Sequence, residues 1–211
     1  MKQLLALLAL ATLAVADTPK PEAVPLFDGK TLAGWQGETA KTWRVQDGCI
    51  VGGSLKEKVP RNEFLATAKS YGNFDLTLKF KLTGTEGMVN SGVQFRSVRI
   101  EKPANEMSGY QADLGDPSWW GCLYDESRRN KVIAKSDMKA VDAVLKRQEW
   151  NDYRVRCEGA RIQIWLNGVQ TVDYTEAEAG IAQDGLIALQ IHGGGPAEAW
   201  FKDIKILELQ P

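Results

Sequence analysis

Residues Phe74 to Leu82 place Phe74, Leu76, Leu78, Phe80 and Leu82 at every second position, with Asp75, Thr77, Lys79 and Lys81 between them. A period of two over such a stretch fits a strand with one face against a core, because successive side chains of a strand point to opposite sides. The same alternation returns in Tyr153, Val155 and Cys157, and again in Ile162, Ile164 and Leu166. The second of these runs ends at Asn167-Gly168, a pair that favours the tight turn of a hairpin, and Val169, Thr171 and Asp173 follow on the return strand. Shorter apolar runs flank Asp47-Gly48, and Trp200-Phe201 and Ile204 to Leu207 lie near the end of the chain. One short helix is expected, around Ala140 to Arg147. Many short strands joined by Gly-rich turns predict an all-β domain, a sandwich or a barrel. No fixed-period repeat, low-complexity tract or linker interrupts residues 25–211. The longest irregular stretches run from about Arg99 to Ser108 and from Asp125 to Lys146, and long loops in compact domains often carry function.

Of the 211 residues, the first do not read as part of this fold. Lys2 gives a positive start, Leu4 to Val15 is an apolar run, and Ala14-Val15-Ala16 is a small-residue cleavage site. Residues 1–16 are therefore expected to be a signal peptide cleaved after Ala16, and residues 17–24 a leader. The run is short for a membrane span and no Cys follows it, so a stable membrane anchor is not expected, and the mature protein should be periplasmic or secreted. Residues 25–211 remain as one domain with a substantial core. With 26 basic and 27 acidic residues and no basic stripe, nucleic acid is not expected as a partner. Cys49, Cys122 and Cys157 match no zinc spacing, their odd number leaves at least one unpaired within the chain, and the phase of Cys157 points to a buried thiol. Nothing in the composition sets an oligomeric state.

Three segments share a second pattern. In Asn90-Ser91-Gly92-Val93-Gln94-Phe95-Arg96, Val93 and Phe95 fall on one face and Asn90, Gly92, Gln94 and Arg96 on the other. Tyr110, Ala112 and Leu114 alternate with Gln111 and Asp113, and Leu189 and Ile191 with Gln190 and His192. If the three strands are neighbours, they build a polar face carrying Arg96, Asp113 and His192, with Gly92 leaving room for a ligand. Amides and a guanidinium fork suit a hydroxyl-rich small molecule; a solvated outer face is the plainer alternative.

An ordered series of short motifs then carries a resemblance. It comprises Leu26-Phe27-Asp28-Gly29, Asn90-Ser91-Gly92-Val93-Gln94-Phe95-Arg96, Gly109-Tyr110-Gln111-Ala112-Asp113, Gly121-Cys122-Leu123-Tyr124-Asp125-Glu126, Trp150-Asn151-Asp152-Tyr153, Leu189-Gln190-Ile191-His192-Gly193-Gly194 and Phe201-Lys202-Asp203-Ile204. Together these resemble the 3-keto-disaccharide hydrolase domain family over roughly residues 25–209. Cys122 stands where a small residue such as Ser is expected. The resemblance implies a concanavalin A-like β-sandwich, or jelly roll, and cleavage of glycosides whose C3 hydroxyl has been oxidised to a ketone, by a hydrolase or a lyase.

Such a substrate sets its own chemical needs. The ketone acidifies the proton on C2, so one base, a donor to the enolate oxygen and an acid for the leaving oxygen suffice. His192, the one histidine, is the natural base, or else an anchor for the Gly193-Gly194-Gly195 loop. Asp113 could orient or replace it, or pair with Arg96. Glu126 is the second acid/base candidate, or a surface residue paired with Arg128 and Arg129. Arg96 is the expected enolate stabiliser or sugar clamp. Asn90, Gln94, Gln111, Tyr124 and Gln190 complete the expected binding residues, with Trp120, from the pair Trp119-Trp120, as a stacking wall. A His-rich metal site is excluded, whereas a carboxylate-held calcium or manganese ion stays open; Asp28 and Asn151-Asp152 read better as turn and capping groups. The competing readings are a non-catalytic carbohydrate-binding module, and an interaction domain of a larger cell-surface assembly.

Overall fold

The computed structural model describes residues 22–210; the expected signal peptide and most of the expected leader lie outside the described residues. In chain order the strands are β1 (Val24–Pro25), β2 (Trp35–Gln36), β3 (Trp43–Gln46), β4 (Cys49–Ser54), β5 (Glu63–Tyr71), β6 (Phe74–Thr83), β7 (Asn90–Arg99), β8 (Met107–Gly115), β9 (Leu123–Glu126) and β10 (Lys131–Ala134). After a helix α1 (Met138–Asp142) come β11 (Asn151–Glu158), β12 (Arg161–Leu166), β13 (Val169–Thr175), β14 (Gly185–Ile191) and β15 (Ala197–Glu208). The helix is shorter than the sequence predicts and sits earlier. Asp137 caps it by accepting from Lys139 N–H, and beyond Asp142 the chain turns to meet Asn151, whose side chain bonds the backbone of Lys146 and Glu149.

The strands form two antiparallel sheets. The first runs β13-β12-β11-β6-β15-β4-β3, with β1 added beside β15, and the second runs β10-β9-β8-β7-β14-β5-β2. Packed face to face they make a jelly-roll β-sandwich, the one of the two all-β architectures left open by the alternation that the family resemblance implies. From the first sheet, Phe74, Leu76, Leu78, Phe80 and Leu82 all enter the core, joined by Tyr153, Val155, Cys157, Ile162, Ile164 and Leu166. The second contributes Leu65, Val93, Phe95, Tyr110, Ala112, Leu114, Leu189 and Ile191. Phe74 meets Phe95 edge-on across the sandwich at 6.3 Å between ring centroids. Each large side chain so buried contributes about 1.5–3 kcal/mol. Asn167 and Gly168 turn the β12–β13 hairpin with φ of 47° and 85°, the two positive values that make this pair suited to a tight hairpin. All three cysteines are free and buried.

One finding departs from simple alternation. Residues 90–97 of β7 are buried on both faces. Phe64, Ala66, Met107 and Ala188 form a small second apolar cluster on the outer side of the second sheet, which is buried there rather than solvated. The polar residues of that side are thereby desolvated.

Candidate active site

The three polar segments are neighbours: β8, β7 and β14 lie side by side, with Gly92 opposite Asp113 and Gln190, and Gln94 opposite Gln111. On the far side of β8, β9 sets Tyr124 opposite Gln111 and Glu126 opposite Gly109. A cavity of about 120 Å3 opens at this end of the sheet, lined by Met88, Asn90, Gln111, Asp113, Trp119, Tyr124, Glu126 and His192. All three expected catalytic residues, with Asn90, Gln111 and Tyr124, thus share one cavity.

His192 leaves β14 with its backbone N–H on Asn90 O (3.1 Å) and its ring Nδ1 at 2.6 Å from Gly193 O. A carbonyl oxygen only accepts, so Nδ1 carries the proton of the neutral ring and Nε2 holds the lone pair. The anchoring role and the base role weighed against each other for His192 are therefore compatible: the anchor selects the tautomer.

Asp113 is buried, and its Oδ1 accepts from Asn90 Nδ2 (2.9 Å) and from Leu114 N–H (2.8 Å). Burial pushes its carboxyl up to about 7, against the opposing hydrogen bonds of Asn90, Leu114 and Gln111. Glu126 is also pushed up to about 7, first by burial and then by the neighbouring carboxylates Glu106 and Asp113, while Gln190 Nε2 donates to its Oε2 at 3.4 Å. Glu126 is free for this because Arg128 and Arg129 are not its partners. Both turn inward to Asp125, the buried residue on the opposite side of β9, with Arg128 Nε at 2.9 Å. No Lys or Arg lines the cavity.

Arg96 is not in this site. The pairing of β7 with β8 shifts register between Phe95 and Val98, and Arg96 adopts a φ of 46°. This bulge breaks the parity that would align Arg96 with Gln94. It fits because glycines stand opposite it: a Cβ on Gly185 would come within 2.5 Å of Ser97 N. The guanidinium instead donates to Gly72 O (3.0 and 3.1 Å) and Gly159 O (2.8 Å), tying together the β5–β6 and β11–β12 turns. Trp120 is also displaced from its expected role. Its ring is buried against Phe80 at 6.1 Å and its Nε1 donates to Asp116 Oδ1. Its neighbour Trp119 lines the cavity instead, edge-on to Tyr124 at 5.7 Å. The pair Trp119-Trp120 is legible in the sequence as a wall and Met88 is not; both lie in turns or loops, where no period assigns a side chain its direction.

Gln94 and Gln190 lie on the polar side but beneath the cavity, fully buried. Neither amide atom of Gln94 meets a protein partner, and Gln111 Oε1 and Gln190 Oε1 are likewise unmet. The space above Gly92 is filled from within, since a Cβ there would lie 2.5 Å from Gln111 Cδ. Gly92 accommodates Gln111 rather than a ligand.

Among the described residues no three His, Cys, Asp or Glu side chains are grouped to hold a metal ion. Asp28 accepts from Lys30 N–H, Thr31 N–H and the Thr31 hydroxyl within its own turn, and Asp152 pairs with Lys79. Among the described residues no helix is long and apolar enough to cross a membrane.

The sandwich recurs in solved structures. A candidate glycosyl hydrolase from Parabacteroides distasonis ATCC 8503 is 23% identical, with a TM-score of 0.66 over 88% of this chain and 93% of that one. The carbohydrate binding module CBM66 from Bacillus subtilis is 18% identical, with a TM-score of 0.62 over 83% of this chain and 96% of that one. The Emp47p carbohydrate recognition domain is 13% identical, with a TM-score of 0.57 over 88% of this chain and 94% of that one. At these identities the likeness is one of fold. No curated protein matches the sequence significantly. The family model for the 3-keto-alpha-glucoside-1,2-lyase-like domain matches residues 22–207, and the chain belongs to that family, the one its ordered motifs resemble.

Proposed function

We propose that this protein cleaves 3-keto-glycosides by removing the C2 proton and eliminating the group at C1. The observation that carries this reading is His192, its Nδ1 held on Gly193 O, lining one cavity with two carboxyls pushed up to about 7. Nε2 takes the proton from C2, and the C–H electron pair passes toward the C3 ketone as an enolate. The returning pair then forms the C1–C2 double bond while the C1–O bond breaks. Glu126, neutral in a large fraction of molecules near pH 7, gives the leaving oxygen its proton. With Arg96 elsewhere, the enolate oxygen is met by uncharged donors: the Gln111 and Asn90 amides and the protonated form of Asp113. A carboxylic acid kept neutral by burial is a strong donor of this kind. Addition of water to C1 would convert the unsaturated keto sugar to a hydrolysis product.

The cavity, about 120 Å3, is smaller than the roughly 300–1,000 Å3 of sites that enclose a drug-sized ligand. That size suits one terminal ring. Trp119 and Tyr124 offer it an aromatic wall. The expected export, with cleavage after Ala16, belongs to the same proposal, since it would place the enzyme among external glycosides; N-terminal sequencing of exported protein should begin at Asp17.

The test is incubation with a 3-keto-disaccharide in D2O, with products followed by mass spectrometry. Release of the second sugar is expected, together with an unsaturated keto sugar or a hydrate carrying deuterium at C2. The unoxidised parent should be inert, because its C2 proton is not acidified. Equal cleavage of both glycosides would refute the elimination. A binding module is the second reading, favoured by the lectin-like sandwich; binding of the unoxidised sugar with no turnover of either substrate would establish it.

A further inference from the structure

A second hollow of about 390 Å3 adjoins the first. The two share Met88, on the β6–β7 loop. They also share the β8–β9 turn, which sends Trp119 into the smaller hollow and the edge of Trp120 into the larger. The Met88 loop is seated on the segment that follows His192: a Cβ on Gly87 would meet Gly194 O at 2.7 Å, and one on Gly195 would meet Met88 O at 2.5 Å. The second hollow therefore holds a set position relative to the histidine. Met88, common to both linings, is 45% exposed and carries an unbranched, adaptable side chain that can shift to let one ligand reach both hollows.

The larger hollow has an apolar floor of Leu82 and Trp120 and a polar rim of Thr85, Asp116, Arg147 and Gln148. Its one cation is already paired, with Arg147 Nη2 at 2.9 Å from both Asp116 Oδ1 and Asp142 Oδ1. A carboxylate would find no unpaired cation here. Hydroxyls would find donors and acceptors around an apolar base, the arrangement that complements a pyranose ring with its apolar face and polar edge.

We propose that the larger hollow is the leaving-group subsite, and that it selects a neutral polyol such as a second sugar ring. This assignment rests on the elimination reading above. The substrate would lie across Met88, with the oxidised ring beside His192 and the departing ring within the rim of Thr85, Asp116, Arg147 and Gln148.

The experiment compares kcat/KM for a neutral 3-keto-disaccharide with that for the methyl 3-keto-glycoside of the same ring. It uses wild-type protein, Arg147→Ala, and Thr85→Trp, which narrows the hollow from an exposed loop, with thermal melting as a check on folding. In each variant the ratio of disaccharide to methyl glycoside should fall about tenfold, the loss of roughly one good polar contact. A disaccharide carrying a carboxylate on its second ring should be cleaved more slowly than the neutral one by the wild type. An unchanged ratio in both folded variants, with wild-type turnover intact, would overturn the subsite alone. Faster cleavage of the acidic disaccharide would overturn the preference for a neutral polyol. Wild-type protein inert toward both neutral substrates would overturn the elimination reading and the subsite with it.

Discussion

The outer faces of the two sheets both carry polar residues in sequence and are opposite in physics. On the first sheet, Asp75 accepts from Arg154 at 2.7 Å and from Arg156 at 3.2 Å, Lys79 pairs with Asp152, and Arg154 lies over the Trp165 ring at 4.4 Å. These charges are paired at an exposed surface, with Arg154 and Asp152 42% and 67% exposed. On the second sheet, Asn90, Gln94, Gln111, Asp113 and Gln190 are buried, no cation lines their cavity, and several amide atoms have no protein partner. Alternation reports which residues face away from the core. Whether that side is wet is decided by what folds over it, and desolvation is what turns ordinary carboxyls into groups that can trade protons near neutrality.

The largest expected difference between the faces is catalytic. His192→Ala should lose roughly 10²–10⁴ in turnover of a 3-keto-glycoside, the usual range for general-base catalysis, with little change in melting temperature. Arg154→Ala, on the other face, should leave turnover unchanged. Near-wild-type activity in His192→Ala would move the base role to Asp113 or Glu126.

The pH profile should separate the faces next. Glu126 is the proposed acid and titrates at about 7, so kcat/KM should fall as pH rises through that value. Glu126→Gln should cost roughly 10–10³ in rate, and Glu126→Gln combined with Asp113→Asn should remove this alkaline limb, because Asp113, also pushed up to about 7, loses its donor proton over the same range. A limb that survives the double substitution would assign the acid elsewhere.

Arg96 tests the bulge. Arg96→Ala should destabilise the protein by roughly 2–4 kcal/mol, because the carbonyls of Gly72 and Gly159 lose their donors. Turnover per folded molecule should stay near wild type, measured by urea denaturation alongside rate. A large loss of kcat without loss of stability would return Arg96 to the site.

A smaller effect should come from Asp113, in stability. Its pKa is raised in the folded state from 3.8 to about 7, so the native protein holds a proton that the unfolded chain has released. Stability contributed by this group is therefore fully present below its unfolded pKa and is lost as pH rises through about 7. Asp113→Asn should be more stable than wild type at about pH 8, by roughly 1–3 kcal/mol, with the gap closing near pH 4. Melting curves across pH would show it, and a gap that widened toward acid would contradict the burial argument.

The smallest effect belongs to the wet face. Arg154→Ala should cost under about 1 kcal/mol and less in high salt, as exposed ion pairs do.

Much of this protein was legible in one dimension. Strict alternation in Phe74–Leu82 and the Asn167-Gly168 turn pointed to an all-β domain, sandwich or barrel, because side-chain direction in a strand follows from parity alone. The same parity placed Asn90, Gln111, Asp113 and His192 on one side, and strand adjacency then brought them to one cavity. Parity failed where the backbone left the regular ladder. The bulge at Arg96 turned its guanidinium away from the side that carries Gln94, and the β8–β9 turn reversed Trp119 and Trp120. The pairing of Arg128 and Arg129 with Asp125 rather than Glu126 depended on which side of β9 each carboxylate faced after folding. The proton affinities of Asp113 and Glu126 were likewise beyond the sequence, because they arise from burial and from the loops that exclude water. Sequence determines which groups a strand carries on each side; only the tertiary structure decides how much water those groups keep.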